Sequence, residues 1–305
     1  MLCNGKKIDK RVINIHTKDR KEKKMNKELK DKIEKIQEIV QLDFEHDNKL
    51  FIDPYRIDET RNELLKRAKE KILKYFDLFF YSVEHNLRDN AAKMGEHLHE
   101  INATKLGYTN RNDKPKGKGF CQRDLLVIFD EAIKIKDYIE DMPDILVLAE
   151  NVGPDKVSDL TTNIIYEELL EFTIGIIAKY DINIELKKKK KWIFDVDIQE
   201  WHKKEILVPC IENDEILFIP DKLVSSYEIF SYENVYNQLV YPFYKTNTSI
   251  HGLIRLLKNN EERPNCKKIK EKYPMKRETV KEFKQKYTDR YKQYKDEMIK
   301  DYWRQ

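Results

Sequence analysis

The segment from residue 144 to residue 173 reads DILVLAENVGPDKVSDLTTNIIYEELLEFT, and it concentrates more potential chemistry than any other part of the chain. The apolar run at residues 145–149 is short and bounded by turn residues, which predicts a buried strand. Glu150 and a Gly-Pro turn follow, and a helical pattern covers residues 161–180. Polar residues at 158 and 159 are expected to start this helix. The segment therefore predicts a strand-to-helix junction that can aim side chains at a ligand.

Three carboxylates lie at this predicted junction: Glu150, Asp155 and Asp159. Mg²⁺ prefers oxygen ligands and is usually held by one or two carboxylates together with water and substrate phosphate. We therefore expect these three residues to be catalytic and to bind Mg²⁺. The alternative is structural, with Asp159 or Ser158 capping the helix and Asp155 decorating the turn.

A second group of candidates lies in the sequence GEHLHEIN at residues 95–102, inside a helix predicted over residues 90–106. Glu96, His99 or Glu100 could face the carboxylates of the junction and supply an accessory acid–base group. The two histidines are two residues apart and do not match HExxH, so a dedicated two-histidine zinc site is not indicated. Hydrogen bonding between helices is the alternative role of these side chains.

Two lysine-rich stretches are candidates for holding a phosphate backbone. The loop KPKGKGF at residues 114–120 carries Lys114, Lys116 and Lys118 between glycines, which allow backbone amides to approach an anion. The second stretch is the run at residues 187–191, which begins with Lys187, Lys188 and Lys189. Ordinary solvent-exposed loops and strands have the same composition, so a structural role stays open for both.

The charge of the chain is unevenly distributed. The 305 residues carry a net charge of +4, with 37% charged and 40% hydrophobic residues. Residues 1–30 hold 11 Lys/Arg against 4 Asp/Glu, and residues 264–305 hold 14 against 7, which leaves an acidic middle. We divide the chain into a basic segment (1–30), a single α+β core domain (31–260) and a basic amphipathic C-terminal helix (261–305). The basic ends could contact nucleic acid, or they could be solvated helix faces.

The four cysteines are widely separated and form no CxxC pair, so neither a disulfide framework nor a structural zinc site is indicated. Reduced thiols predict a cytoplasmic protein. No apolar run approaches the ~20 residues of a membrane span, so no membrane association is expected.

The remaining patterns predict a helix-rich α+β fold with a small central mixed sheet. Helices are expected over residues 27–45, 62–87, 123–141, 228–244 and 249–258, and strands over 181–186, 206–208 and 216–219, with an extended stretch over 49–57.

The last predicted helix carries an apolar and aromatic stripe at spacings of three and four residues. The stripe consists of Val280, Phe283, Tyr287, Tyr291, Tyr294, Met298 and Tyr302. It could dock on the body of the protein, form the seam of a homo-oligomer or contact another protein, or provide a platform for nucleic acid.

Asp155 or Asp159 together with Glu185 and Lys187 gives the outline D…ExK, which resembles the restriction-type PD-(D/E)xK nucleases. The resemblance implies that an Asp and a Glu hold Mg²⁺ while the Lys assists the attacking water. The chain departs from that family because a predicted helix separates Asp159 from Glu185.

The sequences ENVGPDKVSDLTTNII and EILFIPDKLV look like those of a group of bacterial proteins found near phage-defence and restriction genes. The resemblance covers residues 50–240. It implies a role in nucleic-acid-directed defence. The residues to which this role would carry over are Gly153, Pro154, Asp155, Ser158, Asp159 and Asn163.

These patterns give two main hypotheses of function. The first is a Mg²⁺-dependent nuclease acting on DNA or RNA in bacterial anti-phage defence. The alternative is a non-catalytic nucleic-acid-binding or sensor subunit of a defence complex. A further hypothesis is a subunit that docks on a partner through its terminal helix.

Overall fold

The computed structural model describes residues 27–41, 48, 50–56, 63–106, 120–150, 152–211, 213–225, 231–248, 252–257 and 260–304. Helices dominate these residues and the strands form small sheets, so the chain has the predicted helix-rich α+β fold. The predicted basic loop with Lys114, Lys116 and Lys118 lies outside the described residues, as does most of the basic N-terminal segment.

The helices that precede the main sheet are α1 (Lys27–Ile33), α2 (Glu63–Glu84), α3 (Arg88–Met94), α4 (Gln122–Lys134), α5 (Met142–Leu148), α6 (Pro154–Ile164) and α7 (Tyr166–Lys179). Short 3-10 turns occur at Pro54–Arg56, Asn102–Thr104, Lys136–Tyr138 and Asp221–Leu223. The prediction of a long helix over residues 62–87 is confirmed by α2. Its apolar face, with Ile72, Tyr75 and Phe79, is buried at the spacing expected of an amphipathic helix.

The strands of the described residues form three separate antiparallel sheets, so the expectation of one central mixed sheet was wrong. In the largest, β2 (Glu185–Asp195) pairs with β3 (Glu200–Ile211), which also pairs with β4 (Asp214–Glu215). β1 (Phe51–Ile52) pairs with β5 (Val224–Ser225), and β6 (Ile254–Leu256) pairs with β7 (Glu262–Pro264). Among the described strands, β2 and β3 are the long ones, and their register runs from Glu185 opposite Cys210 to Asp195 opposite Glu200.

The C-terminal part is helical again. α8 (Tyr232–Val235) continues through a π-helical turn, Tyr236–Val240, into α9 (Tyr241–Thr246). α10 (Cys266–Lys272), α11 (Arg277–Lys286) and α12 (Thr288–Arg304) follow β7. The segment predicted as one helix over residues 261–305 therefore contains β7 and three helices in the part that the structure describes. Its striped part is divided between α11 and α12, because the backbone leaves the helical conformation at Tyr287.

The aromatic stripe of the terminal helices packs on the body of the protein. Val280, Phe283 and Tyr291 are fully buried, and Tyr287, Tyr294 and Met298 contact the same core. This core also contains the buried faces of α2, α4 and α6. The described side chains of the stripe therefore favour the first of the three interpretations, in which the helix docks on the body of the protein.

The predicted strand at residues 145–149 is wrong, because these residues belong to helix α5 and its C-cap. The side chain of Asp141 accepts a hydrogen bond from the N–H of Asp144, and Pro143 lies in the first turn; both features favour a helix start. Every residue of α5 is buried. A segment that is apolar on all sides shows no helical period, so its sequence cannot be distinguished from that of a buried strand.

Three other boundaries also differ from the predictions. The helix expected over residues 90–106 ends at Met94, and the helix expected over 27–45 ends at Ile33. The residues expected to form a helix over 249–258 include strand β6 instead. This strand follows Gly252, whose backbone lies in the left-handed region at φ 65°. Gly95 is the C-cap of α3 and lies so close to α4 that a Cβ atom there would be 3.0 Å from the Cα of Gln122.

Candidate functional site

Helix α6 places three of the predicted polar residues on one face, because Asp155, Asp159 and Asn163 are spaced by four residues. The helix begins earlier than predicted, with Gly153 as N-cap and Pro154 in the first turn. Ser158 and Asp159 are therefore inside the helix and do not cap it. Ser158 instead accepts a hydrogen bond from the N–H of Ile52 at 3.0 Å, which ties α6 to β1.

Asn163 fastens the segment at residues 95–101 to this face of α6. Its side-chain amide donates to the carbonyl of His99 at 2.7 Å and to that of Asp159 at 2.8 Å. The N–H of His99 donates back to the Asn163 side chain at 3.4 Å. The GEHLHEIN sequence is thus a non-helical segment that is held against α6 by an amide bridge.

The structure brings Glu100 towards Asp155 and Asp159. The pKa of Asp159 is raised to about 7, mainly by burial and also by the negative charges of Glu100, Asp155 and Asp124, although a hydrogen bond from the N–H of Phe120 opposes this. We call Glu100, Asp124, Asp155 and Asp159 the acidic cluster. A carboxyl group with a pKa near neutrality can donate or accept a proton at physiological pH.

Asp124 was not predicted as a site residue. It lies in the first turn of α4, where its carboxylate accepts a hydrogen bond from the N–H of Cys121 at 3.1 Å. Lys156 forms an ion pair with it at 3.3 Å. The local sequence of Asp124 indicates only a helix start, so its place in the cluster depends on how α4 packs against α6.

The charge of Glu150 acts at the opposite end of α4 from Asp124 of the acidic cluster. It acts on Lys134 at the C-terminal end of α4, whereas Asp124 of the cluster lies at the N-terminal end. Ten helical residues separate these two positions, or about 15 Å. Asp155 and Asp159 thus share a face of α6, whereas the charge of Glu150 acts on a lysine at the other end of α4.

Glu96 and His99 are both exposed, and the ring of His99 contacts the carbonyl of His97 at 3.0 Å. Of the three accessory candidates, Glu100 is the one whose charge acts on Asp159. Within the described ranges, no group of three or more His, Cys, Asp and Glu side chains is arranged to hold a metal ion. The assignment of Glu150, Asp155 and Asp159 as Mg²⁺ ligands stays a prediction.

The lysine run lies on β2, where successive side chains point to opposite faces of the hairpin. Lys187 forms an ion pair with Glu185 at 3.2 Å, and Lys189 forms one with Glu215 at 3.4 Å. Both lysines belong to the face that packs towards α7 and are partly buried. Glu185 and Lys187 of the D…ExK outline thus pair with each other.

The opposite face of the hairpin is exposed to solvent. We call it the hairpin face, and its residues are Leu186, Lys188, Lys190, Trp192, Lys203, Glu205 and Leu207. The side chain of Lys188 is 75% exposed, with a carboxylate oxygen of Glu205 at 3.5 Å. This face therefore carries three lysines against one glutamate.

The acidic cluster and the hairpin face are neighbours. The imidazole of His97 stacks on the indole of Trp192, with ring centroids 3.7 Å apart and planes 7° from parallel. His97 is three residues from Glu100, so their Cα atoms are at most about 11 Å apart. The segment at residues 95–101 therefore contacts the hairpin face at one end and the acidic cluster at the other.

The fold and these residues define a helix-rich α+β protein in which an acidic helix face lies beside a lysine-bearing hairpin. Residues 28–231, about two thirds of the chain, match the family DUF8370, described as a domain of unknown function. The chain belongs to this family. No curated protein and no solved structure matches the chain. Among the described helices, none is both long and apolar enough to cross a membrane.

Proposed function

We propose that this protein binds nucleic acid through the hairpin face. The resemblance of its sequence implies that it does so as part of bacterial anti-phage defence. The observation that carries the proposal is the exposed arrangement of Lys188, Lys190 and Lys203 on one face of an ordered hairpin. Lysines on a rigid surface neutralise phosphates and release counterions, which provides most of the affinity of non-specific binding.

The partly buried lysines of the same strand contribute less to this surface. Lys189 and Lys191 both form ion pairs with Glu215, which has its pKa lowered by these contacts despite burial. Of the predicted nucleic-acid-binding residues on β2, Lys188 is the one whose side chain is mostly exposed. Lys190 and Lys203 join it from the same face.

The test is oligonucleotide binding by the full chain as a function of salt. We expect Lys188→Glu/Lys190→Glu to reduce affinity at least about tenfold and to flatten the salt dependence, because phosphate contacts are lost. Lys267→Glu/Lys268→Glu is a matched control, since it makes the same charge change at two exposed lysines of α10. An equal effect of the control and the hairpin variants would contradict the proposal.

A second candidate function is Mg²⁺-dependent cleavage of the bound strand at the acidic cluster. It is favoured by the raised pKa of Asp159 next to Glu100 and Asp155, and by the contact of residues 95–101 with both surfaces. Asp155 and Asp159 would hold Mg²⁺, which lowers the pKa of a bound water and offsets charge on the phosphate. Glu100 would move a proton.

Cleavage assays distinguish the two candidates. Single-stranded and plasmid substrates are incubated with Mg²⁺, Mn²⁺ or EDTA and with the wild type, Asp155→Asn, Asp159→Asn or Glu150→Gln. Metal-dependent cutting that is lost in both aspartate variants and retained in Glu150→Gln is the result expected of a nuclease. A wild type that binds the strand without cutting it under any metal condition supports binding alone.

A further inference from the structure

We infer that the hairpin face takes single-stranded nucleic acid in preference to a duplex, an inference that rests on the proposed function. The feature that decides this is the presence of exposed apolar side chains among the lysines. Leu186 is 40% exposed, Leu207 is 46% exposed, and Trp192 is 38% exposed although His97 stacks on its ring. These side chains belong to the same face as Lys188 and Lys190.

The register of the hairpin places the leucines together. Leu207 lies directly opposite Lys188, and Leu186 precedes Lys188 by two residues. Leu186 and Leu207 are therefore diagonal neighbours on the face, within reach of a shared contact. Trp192 lies six residues further along β2, or about 20 Å from Leu186, so the lysines are flanked by an apolar group at each end.

This alternation matches the chemistry of a single strand. A duplex keeps the faces of its bases stacked inside and presents phosphates and sugars to a flat surface, so exposed leucines would gain little there. A single strand presents base faces as well as phosphates. Base faces pack on apolar and aromatic side chains while the phosphates contact lysines, which is how sequence-tolerant single-strand sites are built.

The charge of the face argues against a second copy of the chain as the occupant. Two hairpin faces brought together would place Lys188, Lys190 and Lys203 of each copy against the same lysines, with only Glu205 to offset them. Like charges placed against each other disfavour association. A polyanion with apolar bases complements both the charge and the apolar content of the face.

The test compares a labelled single strand with the duplex of the same sequence, at one salt concentration, by fluorescence anisotropy on the full chain. We expect the wild type to bind the single strand more tightly. Leu186→Ser/Leu207→Ser should weaken single-strand binding about tenfold and leave duplex binding unchanged. Leu73→Ser/Leu256→Ser is the matched control, because these leucines are 52% and 67% exposed on α2 and β6.

Each alternative outcome has a distinct meaning. Equal affinity for the two forms, with no effect of Leu186→Ser/Leu207→Ser, overturns the single-strand inference. If binding is nevertheless lost in Lys188→Glu/Lys190→Glu, the proposed function of the hairpin face stands. No binding of either form overturns both. A wild-type dimer that Leu186→Ser/Leu207→Ser converts to a monomer, with oligonucleotide binding unaffected, also overturns the inference because the face then belongs to a second copy.

Discussion

At the scale of single residues, Asp159 should make the stability of the protein depend on pH. Its pKa is raised from 3.8 to about 7, mainly by burial and then by the charge of Glu100. Between these two values the unfolded chain has lost this proton while the folded chain keeps it. The free energy of unfolding should therefore fall as pH rises from about 4 to 7 and stay level above that range.

We expect Asp159→Asn to remove this slope. The variant should be more stable than the wild type at pH 8, by up to about 4 kcal/mol, and similar to it near pH 4. Urea unfolding at a series of pH values measures the effect. Glu150→Gln removes an exposed carboxylate outside the cluster and should leave the wild-type slope unchanged. A slope that persists in Asp159→Asn would show that other groups cause it.

At the scale of elements, the sequence predicted the helices whose apolar residues recur with a clear period. It failed where all residues of a helix are buried, because such a segment shows no period. Helix α2 was predicted because its apolar residues occupy one side. Helix α5 was predicted as a strand because all of its residues are buried. Its start was nevertheless marked by Asp141 as N-cap and Pro143 in the first turn, just as Gly153 and Pro154 mark the start of α6.

The C-cap of α3 is closely packed against α4, which is a feature that a sequence pattern does not contain. Gly95 follows the helix against α4, where a Cβ atom would be 3.0 Å from the Cα of Gln122 and 3.1 Å from its Cγ. We expect Gly95→Ala to destabilise the protein by about 1–3 kcal/mol, because the two backbones must separate. The measurement is the free energy of unfolding in urea.

Gly175 provides the matched control for Gly95. It lies within α7, and a Cβ atom there would meet no atom within 4 Å. Gly175→Ala should therefore stabilise the protein, by up to about 1 kcal/mol, through the better helix propensity of alanine. If both substitutions changed stability in the same direction, close packing of Gly95 against α4 would not be the cause.

At the scale of the whole molecule, the candidate site could be predicted only in part. Asp155 and Asp159 are neighbours because they share a helix face, and the sequence shows that spacing. Glu100 and Asp124 reach them through the packing of distant segments, with Asn163 bridging to His99 across 64 residues. No local pattern encodes such contacts.

The C-terminal helices are joined to the rest of the molecule by buried charges as well as by apolar contacts. Lys284 on α11 forms an ion pair with Asp144 on α5 at 2.6 Å, and both side chains are almost fully buried. Lys295 on α12 pairs with Asp141 at 2.8 Å. Removing one member of a buried pair leaves an uncompensated charge, which typically costs about 3–5 kcal/mol.

We expect Lys284→Met to lower the stability of the whole molecule by a smaller amount, about 1–3 kcal/mol, because Asp144 loses its 2.6 Å partner but keeps Lys295 at 3.5 Å. The transition should stay single and cooperative, because α11 shares its core with α2 and α5. Urea unfolding followed by circular dichroism and by tryptophan fluorescence tests this. Lys267→Met, on the exposed surface of α10, should change stability little. If residues 261–305 were instead an appended module, Lys284→Met would produce an early separate transition and leave the midpoint of the remaining protein unchanged.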